Sequence, residues 1–349
     1  MKQHSTPQIG NAGRSRTLQA LWLALANLLS LSVTLVMQAV LCRYMTTSEY
    51  GTYSQVLYVY NTLLAVFSLG LPKAYSYYLA RVSPEEGRDV VRKLNGLFLL
   101  LASVFFVHFA LAGRRHSRSA RQSGRAVEAV CRGAHAADAG LGGENILVVY
   151  GKAHLVAGYV LISRAFMIAC VVLPVVVFDA GVSGAIAGFV LASLVTCVAG
   201  QKLSSVPFRN VSPVKSRLTV RELLRFSMPV FASSMYGFVI GSASQFFVSR
   251  YLGVEDFALF ANGYRELPLA GMIIGAAAGV LLPEFSRMSV EGADGGQFVR
   301  LWQAAVLKSS AIIYPLSVFC CVFAPEIICL LYGEGYREAA GLFRIVTLV

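Results

Sequence analysis

Four cations stand inside long apolar stretches of this 349-residue sequence: Lys73, Arg164, Arg265 and Lys308. An ionisable residue is costly in lipid, so one inside a membrane span is a functional candidate by default. Lys73 shares a helical face with Gly70, Ser76 and Tyr77; Arg265 follows Ala258, Ala261 and Asn262; Lys308 is flanked by Ala304, Ala305 and Ala311. Such small and polar faces point to protein or water, not to lipid. Arg164 has mostly apolar helical neighbours, and snorkelling to the membrane surface would account for it. Glu266, next to Arg265, is the acid well within a span and offers a counter-ion. Together the cations suit an interior that holds anionic groups through charge-assisted hydrogen bonds. Taken singly, snorkelling or helix-pair glue explains each nearly as well; the set is more persuasive than any member.

A second set is polar and uncharged. Asn27, Ser30, Thr34 and Gln38 fall at spacings of 3, 4 and 4, one face of a helix. At an offset of 207 residues stand Ser234, Gly237, Gly241 and Gln245. The same offset lays "CRYMTTSEYGTYS" (42–54) on "SRYLGVEDFALFA" (249–261), with Arg43 opposite Arg250, Tyr44 opposite Tyr251 and Glu49 opposite Asp256. One stripe alone would mean helix packing. Two in register across a repeat favour a shared role at the centre of a two-lobed bundle, with Asn27, Gln38 and Gln245 as hydrogen-bonding candidates.

These residues need membrane helices to position them. The chain is 56% hydrophobic and 14% charged, with a mean hydropathy of +0.63, whereas a soluble domain carries about a quarter charged residues. Its apolar residues run in long blocks, without the alternation of an outer-membrane barrel. The fold class expected is all-α, a polytopic membrane helix bundle. Candidate spans are roughly 18–41, 54–80, 94–112, 155–178, 184–201, 227–249, 257–282 and 302–324, with a ninth apolar run from Ala339. The net charge of +12 is not a nucleic-acid signal, because most of the Lys and Arg sit in short loops where they set topology. The seven cysteines show no metal-ligand spacing. No P-loop and no Ser/His/Asp or DxD set appears, so neither a cofactor nor an enzyme is expected.

Lys2, Arg14 and Arg16 place the N-terminus in the cytoplasm, and the basic segment 201–225 belongs there too. The chain must then cross the membrane between about 113 and 152. Yet residues 114–140 contain six arginines and no Leu, Ile, Phe, Met, Tyr or Trp. This stretch reads as a local disruption of the reading frame; a basic cytoplasmic loop fails the parity of the spans. The organisation expected is an N-terminal lobe over 1–201, of about six helices with the fourth disrupted, a cytoplasmic linker over 202–225, and a C-terminal lobe over 226–349. An even number of spans separates the repeated helices. That makes the repeat parallel, with lobes related by an axis along the membrane normal, a transporter architecture.

The stretches "CRYMTTSEYGTYSQVLYVY", "LGLPKAYSYYLAR" and above all "APEIICLLYGEGYREAAGLFRI" (324–345) resemble the polysaccharide (O-antigen) flippases of the MATE-like MOP superfamily. The resemblance covers nearly all of the chain except 114–140. It implies two lobes around a central cavity, the second incomplete because the chain stops about where a tenth helix begins. It further implies a multi-pass protein of the bacterial inner membrane that moves undecaprenyl-pyrophosphate-linked oligosaccharide to the periplasmic leaflet for lipopolysaccharide and other surface polysaccharides. Polysaccharide polymerase and chain-length proteins would be its partners. On that reading Lys73, Arg164, Arg265 and Lys308 hold the pyrophosphate, Asn27, Gln38 and Gln245 bond sugar hydroxyls, and the lobes rock around them. A lipid II flippase fits the same charges. A MATE-type cation-coupled antiporter wants a buried acid where these spans show cations. A membrane-embedded glycosyltransferase or polymerase needs carboxylates or histidines in sizeable surface loops, and segment 201–225 has Glu222 as its sole acid.

Overall fold

In a bilayer core every backbone N–H and C=O must find its partner inside the protein, which leaves helices as the simplest spanning element. The computed structural model describes residues 9–115, 142–209, 211–212, 214–265, 268–290 and 294–348, and among them it is all-α. The helices are α1 (Ile9–Tyr44), α2 (Thr47–Phe67), α3 (Leu71–Leu79), α4 (Pro84–Arg115), α5 (142–149), α6 (Ala153–Phe178) and α7 (Gly181–Ser204). After a basic segment come α8 (Val220–Tyr251), α9 (Val254–Gly263), α10 (Pro268–Val290), α11 (Gly295–Val322), α12 (Ala324–Tyr332) and α13 (Ala339–Leu348). Among the described residues five helices are long and apolar enough to cross a membrane, or six if the bent pair α2–α3 is one span. The stretch read as frame-disrupted lies outside the described residues apart from its first two positions, which end α4.

Two expected spans are not single helices. The stretch 54–80 breaks into α2 and α3, which meet at 44°. The cause is local: Leu69 and Gly70 have φ of 43° and 67°, and Pro72 follows in the first turn of α3. Proline lacks an N–H and clashes with the carbonyl four residues back, so a helix cannot run through it undisturbed. The stretch 257–282 divides in the same way, α9 ending at Gly263 and α10 starting on Pro268.

The junctions between the paired helices agree with the sequence offset. α1 ends at Tyr44 and α8 at Tyr251; α2 starts at Thr47 and α9 at Val254, in both cases 207 residues apart. A capping box starts α2, where Thr46 accepts from the Glu49 amide and Glu49 accepts from that of Thr46. At the crossing of α2 and α9, Gly51 lies so close to Val254 that a Cβ there would stand 2.1 Å from the Val254 carbonyl oxygen.

Both buried cores draw on each side of the basic segment. One gathers Leu41, Tyr53, Val171, Ala185, Ala258, Ile328 and Phe343; the other gathers Leu71, Tyr75, Leu94, Ile146 and Leu223. The outward faces carry large apolar side chains, Ile162 and Leu307 each more than 70% exposed, as expected where the surrounding solvent is lipid.

Candidate functional site

Lys73 owes its position to the α2–α3 break. Gly70 takes the left-handed conformation at the head of α3, where a side chain would be strained. A Cβ there would also lie 3.0 Å from the Phe231 amide nitrogen and 3.1 Å from the Ser227 carbonyl oxygen, so α3 starts against the backbone of α8. The ring of Tyr77 then stacks on Phe226 at 4.0 Å, and the Tyr78 hydroxyl donates to the Glu222 carbonyl at 3.0 Å. This places Lys73 beside α8, where its Nζ donates to Ser234 Oγ at 3.4 Å. Ser234 is the residue that the repeat sets opposite Asn27. An ammonium has three donors; one bond is made among the described residues, and the Lys73 side chain is exposed.

A second polar site lies between α1, α2, α5, α6 and α7. A cavity of about 390 Å³ is lined by Thr34, Gln38, Asn61, Glu144 and Arg164 among others. The Gln38 Oε1 atom is buried there with no hydrogen-bond partner among the described residues. Two residues of the first stripe therefore meet one of the cations at a single cavity. Glu144 was missed in the sequence, because it follows directly on the arginine-rich stretch and no apolar run surrounds it.

Arg265 does not continue the helical face of Ala258, Ala261 and Asn262. It stands beyond the end of α9, in the break that Pro268 forces, and its Nε is buried with no partner among the described residues. Its guanidinium lies within electrostatic range of Cys42, Tyr50 and Tyr332. Nearby, Tyr50 donates to Asn262 Oδ1 at 3.0 Å, and Asn262 Nδ2 donates to Cys42 Sγ at 3.2 Å. Lys308 is exposed on α11, Asn27 is exposed on α1, and Gln245 is half-buried on α8, a turn from Ser242, whose carbonyl accepts from Tyr58 at 3.4 Å. No described contact joins Lys73, Arg265 and Lys308 to one another. Glu266 lies outside the described residues.

Residues 154–341 match the family model of polysaccharide biosynthesis proteins, more than half of the chain. The chain belongs to the polysaccharide biosynthesis protein family. No curated protein matches it. Among solved structures, a MATE protein in the straight conformation is 17% identical with a TM-score of 0.65, over 96% of this chain and 78% of that one. An outward-facing multidrug-resistance MATE transporter of the MOP superfamily is 16% identical with a TM-score of 0.63, over 94% and 77%. A MOP-superfamily transporter from Pyrococcus furiosus, described as having a binding pocket of reversed polarity that suggests a different function, is 16% identical with a TM-score of 0.62, over 93% and 76%. This polysaccharide biosynthesis protein thus has the MATE-like MOP fold that its sequence resembles.

Proposed function

We propose that this chain is a carrier, not an enzyme, and that it moves undecaprenyl-pyrophosphate-linked oligosaccharide from the cytoplasmic to the periplasmic leaflet of a bacterial inner membrane. The observation that carries the reading is the exposed Lys73 ammonium held to Ser234, where α3 of the first half meets α8 of the second. A fixed cation at that seam suits a substrate whose anionic group is gripped by both halves while they rock between two openings. The organisation is a lobe over 1–201, a linker over 202–225 and a lobe over 226–349, with the linker cytoplasmic. Lys73, Arg265 and Lys308 supply positive charge along the route, and Asn27, Gln38, Gln245 and Arg164 supply donors for glycan hydroxyls and phosphate oxygens. Family membership supports a polysaccharide precursor as cargo. In cells, Lys73→Ala should abolish surface polysaccharide while the protein remains at normal levels. Wild-type polysaccharide in that variant would count against the reading.

One observation favours a cation-coupled antiporter. Glu144 shares its cavity with Gln38, Asn61 and Arg164, and a carboxylate with neutral oxygens is a ligand set for a proton or a sodium ion. Transport that stays unaltered in Glu144→Gln across a sodium or proton gradient would remove this alternative.

A further inference from the structure

The start of α4, the end of α7 and the segment that follows it enclose a cavity of about 1170 Å³, separate from the Lys73 seam. Its wall carries five cations, Arg88, Arg92, Lys202, Arg209 and Lys215, against one acid, Asp89. That acid is already taken, by Lys93 at 2.6 Å and by the Ser216 amide at 3.0 Å. Among the described residues no carboxylate forms an ion pair with any of the five.

Like charges gathered around one hollow repel one another, so their framework must be held by other means. Arg88 donates to the Val211 carbonyl at 3.0 Å and the Val214 amide to the Glu85 carbonyl at 3.2 Å. Lys93 donates to the carbonyls of Ser216 at 3.2 Å and Leu218 at 2.8 Å. These bonds strap the segment across the head of α4 without help from a ligand. Arg92, Lys202, Arg209 and Lys215 take no part in the strap and their side chains are exposed. The charges are thus presented on a preorganised frame, which lowers the ordering cost of binding an anion.

We infer that this cavity is a cytoplasmic loading site for the diphosphate and first sugars of a lipid-linked glycan, occupied before the headgroup reaches the Lys73 seam. The inference rests on the transport reading above and on its cytoplasmic linker. Guanidinium forks meet phosphate oxygens in pairs, and Asn95 and Gln201 on the same wall offer neutral donors to hydroxyls. Pockets of roughly 300–1,000 Å³ suffice for drug-sized ligands, so a diphosphate alone leaves room here for sugar units. An anionic glycerophospholipid brings the same phosphate charge without the sugars.

The full chain in phosphatidylcholine nanodiscs, titrated with farnesyl diphosphate carrying one hexose, separates these cases. Arg92→Gln with Arg209→Gln should weaken binding about tenfold or more, and the corresponding double lysine variant should recover much of it. Adding phosphatidylglycerol to the nanodiscs should leave the probe bound. Should the first double variant fold poorly, Lys202→Gln with Lys215→Gln provides the same reading. Wild-type affinity in the glutamine variants, or full displacement of the probe by phosphatidylglycerol, would overturn the loading site. Either result leaves the transport reading standing, whereas normal transport by Lys73→Ala would remove that reading whatever the titration shows.

Discussion

Asp89 shows how one carboxylate fixes a loop against the head of a helix. It lies near the head of α4, before the span, and its bond from Lys93 holds the carboxyl below the usual aspartate range, helped by the Ser216 amide. A depressed carboxylate contributes stability that is present above its unfolded value, 3.8 for aspartate, and is lost as pH falls through the folded one. Acidification below about pH 4 should therefore loosen the strap that holds Ser216, seen as lower amide protection at Ser216 relative to an open chain at the same pH. Asp89→Asn should exchange about tenfold faster at neutral pH and should respond little to acid. Equal exchange in both proteins at neutral pH would show that Asp89 does not hold the segment. Other residue-scale features were legible only in part. The oddity of Lys73 in an apolar run is visible in the sequence; its partner Ser234 is not, because tertiary packing alone decides which turn of α8 meets α3.

At the scale of elements, backbone geometry at two glycines governs how α3 meets α8 and how α2 meets α9. A side chain at Gly70 must adopt a left-handed φ, at about 1–2 kcal/mol, and must also push against Phe231 and Ser227 of α8. At Gly51 the obstacle is the Val254 carbonyl, 2.1 Å from the Cβ position. Gly271 has open space around it. Thermal unfolding of the detergent-solubilised protein should place Gly70→Ala and Gly51→Ala clearly below wild type and Gly271→Ala close to it. A Gly51→Ala protein as stable as Gly271→Ala would mean that α2 and α9 are not in close contact. Hydropathy located most of the helices, and the offset of 207 located the junctions at Tyr44 and Tyr251. It missed the kink at Gly70 and the end of α9 at Gly263, because glycine and proline amid apolar residues barely lower a hydropathy average. The signals were there in "LGLP" and in Pro268, as breakers rather than as polarity.

For the whole molecule, we propose from the distribution of Lys and Arg that the N-terminus and the segment 201–225 face the cytoplasm. Cysteine accessibility in cells tests it at Ser205, which is exposed, and at Thr47, which is half-buried at the start of α2. Ser205→Cys should react only with reagents that enter the cytoplasm, and Thr47→Cys with impermeant reagents from outside. Labelling of Ser205→Cys by an impermeant reagent would invert the topology and put the basic cavity on the wrong side for loading.

On the transport reading proposed above, Lys73, where α3 meets α8, grips an anionic lipid headgroup during its passage across the membrane. The most direct test is the rate at which proteoliposomes bring a fluorescent polyprenyl-diphosphate-linked glycan from one leaflet to the other. Wild-type protein should accelerate that movement. Lys73→Met, similar in bulk but uncharged, should slow it about tenfold or more, and Lys73→Arg should retain part of the rate because the charge persists. A Lys73→Met protein that moves the lipid at the wild-type rate would rule out a grip by the Lys73 charge.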